Sequence, residues 1–74
     1  MDDKEILYRR SENIRIKRLK KKLTQEKLAE FAGVTQKYVS LIEKQKANPS
    51  ILILFKIAKA LNTDLNSLIK EIED

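Results

Sequence analysis

Residues 23–50 decide the fold and read LTQEKLAEFAGVTQKYVSLIEKQKANPS. Thr24 suits a helix N-cap, because its hydroxyl can accept a backbone N–H of the first turn. The helix it opens ends at Gly33, the residue type best suited to the left-handed conformation that closes a helix. Thr35 can cap a second helix that runs from Gln36 to about Lys44. The stretch therefore predicts two short helices joined by a tight turn.

Small and apolar residues in this stretch predict how the two helices pack. Ala29 and Gly33 permit a close, steep approach, and Val39 fills the junction. Val39 and Ile42 are spaced i and i+3, so both face inward and the N-terminal side chains of the second helix point outward. A helix presented in this way fits the major groove of B-DNA.

The rest of the chain also indicates helices. With one Gly, one Pro and no sustained alternation of apolar and polar residues, strands are not expected. A first helix is expected from about Tyr8 to Lys22, with Leu7, Ile14 and Leu19 as its apolar candidates. The fold class predicted is all-α, with five helices in a single domain spanning residues 1–74.

Two C-terminal helices, over about residues 50–73, are expected to serve packing and dimerisation. Ser50 can cap the fourth helix, which runs to about Leu61, and Asp64 can cap the fifth. The inward stripe of the fourth helix is Leu54, Ile57, Ala58 and Leu61. The apolar residues of the fifth are Leu65, Leu68, Ile69 and Ile72.

Length and composition restrict the possible functions. A chain of 74 residues supports one core, and without Cys or His it lacks thiol nucleophiles, imidazole bases and the usual zinc ligands. We therefore expect no enzyme, no metal, no cofactor and no small-molecule ligand. No apolar run reaches the roughly 20 residues that cross a bilayer, and the acidic start Met1–Glu5 is unlike a signal peptide. We expect a cytoplasmic protein with no membrane partner.

Positive charge is concentrated near the N-terminus. The chain carries 16 Lys and Arg against 11 Asp and Glu, a net charge of +5. Within residues 9–22 only Glu12 opposes the basic side chains, which are Arg9, Arg10, Arg15, Lys17, Arg18, Lys20, Lys21 and Lys22. A local field of this sign attracts polyanions, of which nucleic acid is the commonest.

The residues from Leu23 to Ser50 resemble the Xre, Cro and phage-repressor helix-turn-helix family. The resemblance continues through LFKIAKALNTDL and covers about residues 13–70. It implies a lambda-repressor-like DNA-binding domain with the helix-turn-helix motif, about residues 24–44, at helices 2 and 3. It also implies a sequence-specific transcriptional regulator. The residues in family register are Thr24, Gln25, Leu28, Ala29, Gly33, Val34, Thr35, Val39, Ile42, Glu43 and the Asn48-Pro49-Ser50 exit.

The same resemblance implies a role for individual side chains. The base-contacting positions are Gln36, Lys37, Ser40 and Leu41. The phosphate-contacting positions are Thr24, Gln25, Tyr38, Lys44, Lys46 and Asn48. Gln25 would also brace Gln36. Leu41 could instead pack against the domain or a partner, and Tyr38 could instead cover the turn. Glu43 is expected to be structural, with Arg18 as its basic partner.

Three positions depart from the family pattern. Lys22 and Gln45 stand where the family usually has Gly, so each residue either adopts a positive φ or lets its helix run on. Lys17 occupies a position where the family commonly buries an aliphatic residue, with Ile16 beside it. The path of the chain after Lys44 and the register of the first helix are therefore left open.

A homodimer is expected for two reasons. Small domains without disulfides or metals commonly gain stability by self-association, and one recognition helix reads only about 4 to 6 base pairs. Recognition helices about 34 Å apart would match a pseudo-palindromic duplex DNA operator. The candidate interface residues, which could alternatively belong to the core, are Leu52, Ile53, Leu65, Ile69 and Ile72.

Small proteins of this family include restriction-modification controllers, phage-type repressors and antitoxins. The C-terminal LIKEIED of residues 68–74 is most similar to the controllers. A function from another class is also open, in which the helix-turn-helix scaffold binds a protein partner through Leu41, Leu52 and Ile53. An affinity for duplex DNA that falls with salt would distinguish the two.

Overall fold

Each helix begins directly after a side chain that accepts one of its first backbone N–H groups. The computed structural model describes residues 2–72, and these capping hydrogen bonds measure 2.8 to 3.2 Å. The predicted caps Thr24, Thr35, Ser50 and Asp64 are confirmed. Asp2 is a fifth cap that the sequence analysis missed, and it starts the first helix five residues earlier than Tyr8. The helices are α1 (Asp3–Lys20), α2 (Gln25–Ala32), α3 (Gln36–Glu43), α4 (Ile51–Ala60) and α5 (Leu65–Ile69).

Four of these helices are followed, within two residues of their last residue, by a residue with positive φ. Gly33 has a φ of 71°, whereas Lys22, Gln45 and Asn62 have φ of 58°, 62° and 56° without being glycine. In each case the next residue donates its N–H to the carbonyl five positions back, over 2.8 to 3.0 Å. This pattern satisfies carbonyl groups that a helix end leaves free. Gln45 therefore turns the chain, and α3 does not run on.

The core lies between all five helices. The inward residues predicted for α3 and α4 are confirmed as buried, and α5 contributes Leu68. On α1 the buried face runs through Ser11 and Ile14 to Arg18, so Lys17 stands half-exposed at its edge. Leu19 points away from that face and is exposed, which makes the prediction of Leu19 as an apolar contact wrong.

The last helix is shorter than predicted. It ends at Ile69 rather than near residue 73, which lies outside the described residues. The side-chain Nδ2 of Asn13 donates to the carbonyls of Leu68 (3.0 Å) and Lys70 (2.9 Å). In a longer helix the Leu68 carbonyl would accept from the N–H of Ile72 instead. The buried amide of Asn13 therefore terminates α5 and ties it to α1.

The order of packing separates α3 from α4. α2 packs on α3 and α4, while α1 packs on α5 and α3. In the part of the chain that the structure describes, α3 and α4 are not themselves among the helix pairs with extensive contact. Within the described residues, no helix combines the length and the apolar composition needed to span a bilayer.

Candidate nucleic-acid interface

The outer face of α3 presents polar side chains, while its inner side is packed against the core. Val39 and Ile42 are buried on its inner side, and the Thr35 hydroxyl accepts the N–H of Tyr38 at 3.1 Å. Gln36 and Lys37 are exposed in the first turn. The first turn is where side chains of a helix inserted N-terminus first would meet base edges.

The next turn of α3 carries the remaining base-contacting candidates and Tyr38. Ser40 and Leu41 are half-buried on the flank of the outer face. Within the described residues, Leu41 is not among the side chains that pack against the core, whereas Tyr38 is. Tyr38 therefore covers part of the core beside the turn. Its contact with a phosphate stays a prediction.

A buried ion pair links α1 to the end of α3. Arg18 donates from Nε to Oε2 of Glu43 at 2.8 Å and from Nη2 to Oε1 at 3.0 Å. Its Nη1 donates to the carbonyl of Leu23 at 2.9 Å. The two charged side chains are only 11% and 4% exposed. The predicted pairing of Glu43 with Arg18 is confirmed, and it fixes α3 relative to α1 and to the turn before α2.

Gln25 joins this ion pair rather than bracing Gln36 as predicted. Its Nε2 donates to Oε1 of Glu43 at 3.2 Å, and no hydrogen bond joins Gln25 to Gln36 within the described residues. A carboxylate can only accept, so Glu43 determines which end of the Gln25 amide faces inward. The second N–H of Nε2 stays available to an acceptor beside the N-terminus of α2. The contact found for Gln25 is therefore with the buried carboxylate of Glu43 and not with the amide of Gln36 that the resemblance implied.

The loop after α3 alternates between anchored and exposed residues. Ala47 packs against the core and Pro49 is buried. Lys46, which precedes Ala47, and Asn48, which lies between Ala47 and Pro49, are exposed. Lys44, at the end of α3, is exposed as well. The three phosphate-contacting candidates of this region are thus displayed on a loop that is fixed at two points.

Arg10 is a functional candidate that the sequence analysis missed. Its Nη2 donates to Oδ1 of Asn48 at 2.6 Å, although the two residues are 38 positions apart. No local pattern connects a residue early in α1 with the loop after α3. Only the basic run of residues 9–22 pointed to the region.

Carboxylates neutralise part of the basic run. Arg9 pairs with Glu5 at 3.7 Å and Arg15 with Glu12 at 2.9 Å, in addition to the pair made by Arg18. The hydrogen bond from Arg15 lowers the pKa of Glu12. Among the described residues no carboxylate lies within 4.0 Å of the exposed Lys20, Lys21 and Lys22. The uncompensated charge is therefore concentrated in the turn that precedes α2.

An apolar face lies on α4. Leu52 is 58% exposed, as expected of an interface residue, and its neighbours Ile51 and Phe55 are 70% and 50% exposed. We name Ile51, Leu52 and Phe55 the α4 face. Phe55 also borders an open cleft of about 430 Å³ whose other walls are Thr63, Asp64, Leu65 and Asn66. The α4 face therefore continues onto the start of α5.

The other interface candidates are covered to different extents. Ile53 and Leu65 are half-buried and pack against the core, in line with the alternative that they belong to it. Ile69 is exposed, and Ile72 is half-buried beyond the end of α5. Ile51 and Phe55 were missed, although the run ILILF contains more apolar residues than one inward stripe can bury.

Comparisons with known proteins agree with this geometry. A helix-turn-helix family model matches residues 14–68. The control protein C.SmaI of Serratia marcescens is 41% identical over 69 residues, which are 93% of this chain and 79% of that protein. The restriction-modification controller protein C.AhdI of Aeromonas hydrophila is similar in structure, with a TM-score of 0.81 and 32% identity over 84% of this chain and 94% of that one. A hypothetical transcription factor from Neisseria, NHTF, gives a TM-score of 0.87 at 28% identity over 95% and 80% of the two chains.

Proposed function

Because this chain belongs to the helix-turn-helix family of DNA-binding transcriptional regulators, we propose that it binds a pseudo-palindromic operator as a homodimer. The recognition helix α3 would enter the major groove of each half-site. The observation that carries this proposal is the outer face of α3. Gln36 and Lys37 are exposed in its first turn while Val39 and Ile42 hold the opposite side in the core.

Four side chains of α3 are proposed to read bases. The amide of Gln36 can pair with N6 and N7 of adenine, and the ammonium group of Lys37 can reach O6 and N7 of guanine. Leu41 can contact a thymine methyl group, since it does not pack against the core formed by the described residues. The hydroxyl of Ser40, which can donate or accept, would add to whichever base edge it meets.

Phosphate contacts are proposed in two places. One is the N-terminus of α2, where free backbone N–H groups and a positive helix dipole favour an anion. The other is the loop after α3 that displays Lys46 and Asn48. These contacts would position the protein without reading sequence. The full proposed set is Thr24, Gln25, Tyr38, Lys44, Lys46 and Asn48.

The dimer is proposed to form through the α4 face and the adjoining part of α5. An exposed cluster of three large apolar side chains at i, i+1 and i+4 is costly in water, and a second copy would cover it. Because the α4 face lies on a different helix, which is not packed extensively on α3, pairing through it would leave both recognition helices free. The proposed interface is Ile51, Leu52, Phe55 and Ile69, with Ile53, Leu65 and Ile72 at its edge.

Control of a restriction-modification system is the regulatory role we propose. C.AhdI is a restriction-modification controller protein, and 84% of this chain superposes on 94% of that one. The proposal predicts that the strongest binding sites in the genome that encodes this chain lie upstream of genes for a DNA methyltransferase and an endonuclease. Strong sites confined to other genes would contradict this role and leave operator binding intact.

Selection of bound sequences from a random duplex DNA library, at two salt concentrations, tests the operator proposal. We expect a two-fold-related motif with half-sites about one helical turn apart, and weaker recovery at the higher salt concentration. Enrichment of a single unrepeated half-site would contradict the dimer. Recovery at background level at both salt concentrations would contradict operator binding and favour a protein partner.

A further inference from the structure

The N-terminal half of α1 precedes the part of the chain that the family model matches. The helix begins at Asp3, and the match begins at residue 14. This segment is nevertheless tied to the end of the recognition helix. The buried hydroxyl of Ser11 contacts the carbonyl of Ile42 at 2.9 Å as well as that of Leu7 in its own helix at 2.8 Å. The backbone around residues 10 and 11 is therefore fixed relative to α3.

From this fixed position Arg10 reaches the loop after α3. Its Nη2 donates to Oδ1 of Asn48 at 2.6 Å. On either side of Asn48 the backbone is held, because Ala47 packs against the core and Pro49 is buried. The remaining freedom of Asn48 lies in its side chain, and the exposed hydrogen bond from Arg10 restricts it.

The chemistry of the two groups determines which way the Asn48 amide faces. A guanidinium group only donates, so Oδ1 must face Arg10 and the NH2 group must face away from it. Within the described residues Nδ2 of Asn48 has no hydrogen-bond partner, and the residue is exposed. Both N–H groups of the amide are thus presented to solvent in one orientation. A phosphate oxygen is an acceptor and requires such donors.

We propose that Arg10 is a positioning residue for DNA backbone binding, which holds the Asn48 amide with its NH2 group toward a phosphate. This inference rests on the proposed phosphate contact of Asn48. Without Arg10 the amide can flip and offer Oδ1, which a phosphate repels. The segment of α1 that precedes the family match thereby contributes to the DNA-binding surface without reading a base.

The neighbouring arginine provides a matched control. Arg9 lies on the same helix and carries the same charge, but it pairs with Glu5 at 3.7 Å, and within the described residues no hydrogen bond joins it to the loop. Arg9→Ala and Arg10→Ala therefore remove equal charge from adjacent positions. A contribution that depended only on the net charge of this part of α1 would make the two variants behave similarly.

The test combines three single variants and one double variant on the tightest duplex recovered by selection. Thermal unfolding first establishes that each variant is folded. We expect Asn48→Ala and Arg10→Ala each to weaken binding about tenfold per half-site, the loss of one hydrogen bond to a charged group, and so about a hundredfold on a full operator. Arg10→Ala/Asn48→Ala should be within about twofold of either single variant, because the two residues act on one contact. Arg9→Ala should weaken binding less than about threefold.

A scan of single methylphosphonates along both strands identifies the phosphate involved. We expect one neutralised position per half-site to weaken binding by the unmodified protein and to leave both Asn48→Ala and Arg10→Ala unaffected. Arg10→Ala retaining the full effect at that phosphate would overturn the proposal, as would additive losses in the double variant. Asn48→Ala binding like the unmodified protein would also overturn it while leaving operator binding intact. Failure of the unmodified protein to bind any duplex would overturn the proposed function as well.

Discussion

Individual backbone positions show where the chain accepts local strain. Lys22, Gln45 and Asn62 adopt the left-handed conformation with φ near 60°, which costs a residue with a Cβ roughly 1 kcal/mol. Each of them is followed by the closing hydrogen bond that satisfies a helix carbonyl. The hydrogen bond that closes each turn therefore offsets the conformational cost. The same turn forms at these three positions without glycine as it does at Gly33.

Replacing one of these residues by glycine should stabilise the protein. We expect Lys22→Gly to raise the free energy of unfolding by about 0.5 to 1 kcal/mol, since it relieves the positive φ of 58°. Lys21→Gly is the matched control, because Lys21 has a φ of −87° and gains no relief. Urea denaturation of both variants measures the difference. A Lys22→Gly variant no more stable than Lys21→Gly would show that the turn is not strained.

The acid sensitivity of the protein should depend in part on Asp64. The backbone N–H of Ser67 donates to the carboxylate of Asp64 at 2.9 Å. This hydrogen bond, together with one from the Ser67 hydroxyl, lowers the pKa of Asp64. A pKa lowered by folding means that the stabilisation is complete above the unfolded pKa, about 4, and is lost as the pH falls through the folded value.

Asp64→Asn removes this titration while keeping a residue that caps helices well. We expect its urea midpoint to match that of the unmodified protein near pH 6 and to fall less steeply below pH 4. Some acid sensitivity should persist, because Arg15 also lowers the pKa of Glu12. Equal pH dependence in the two proteins would mean that the Asp64 cap contributes nothing in solution.

Side-chain contacts were predictable from the sequence only where they are local or follow the family resemblance. A cap accepts an N–H three residues away, so Thr24, Thr35, Ser50 and Asp64 could be identified from residue type and position. The bonds from Arg10 to the loop and from Asn13 to the end of α5 join residues 38 and 55 positions apart. Nothing in the local pattern indicates them.

At the scale of helices, the position of α3 depends on polar contacts as well as on apolar packing. The ion pair between Arg18 and Glu43 is nearly buried and connects α1, α3 and the turn before α2. Removing one partner of such a pair leaves an uncompensated charge in a poorly hydrated place, which is strongly destabilising. We therefore expect α3 to lose its fixed position relative to α1 when the ion pair between Arg18 and Glu43 is broken.

We expect Arg18→Ala to lower the free energy of unfolding by about 3 kcal/mol. Arg15→Ala is the control, since Arg15 also pairs with a glutamate, but the two side chains are 42% and 22% exposed. That variant should cost less than about 1 kcal/mol. Chemical denaturation compares the two, and equal losses would indicate that burial adds nothing to the Arg18 contact.

Helix identity could be predicted from the sequence more reliably than helix length. Periodicity and capping residues gave all five helices, because they act over one or two turns. The extent of α1 and α5 depended on Asp2 and on the tertiary contact of Asn13, neither of which alters the periodic pattern. Leu19 was misassigned because α1 buries polar residues such as Ser11 and Asn13 beside Ile14.

At the scale of the whole molecule, the distribution of apolar surface predicts assembly. The sequence analysis named Leu52 and Ile53 on α4 as interface candidates and left open that they belong to the core. In the structure Ile51, Leu52 and Phe55 are exposed on α4, whereas Ile53 packs against the core. The proposed dimer follows from this surface and from the free outer face of α3.

The chain offers two exposed phenylalanines for a matched test of the dimer. Phe55 belongs to the α4 face, with Lys59 5.7 Å from its ring, whereas Phe31 on α2 lies outside it with Lys27 at 5.8 Å. We expect Phe55→Asp to sediment as a monomer and to bind a full operator much more weakly, with half-site binding preserved. Phe31→Asp should remain a dimer. A dimeric Phe55→Asp variant would place the interface elsewhere.

The claim that α3 reads bases in the major groove is tested most directly by substituting 7-deazapurines one at a time in the selected duplex. Each substitution removes the N7 acceptor from the major groove without changing base pairing or the minor groove. We expect at least one purine in each half-site at which the substitution weakens binding by the unmodified protein about tenfold. The same substitution should not weaken binding by whichever of the variants Gln36→Ala and Lys37→Ala has lost the contact to that base. Binding insensitive to every substitution, or equally sensitive in both variants, would contradict the assignment of α3 as the reading helix.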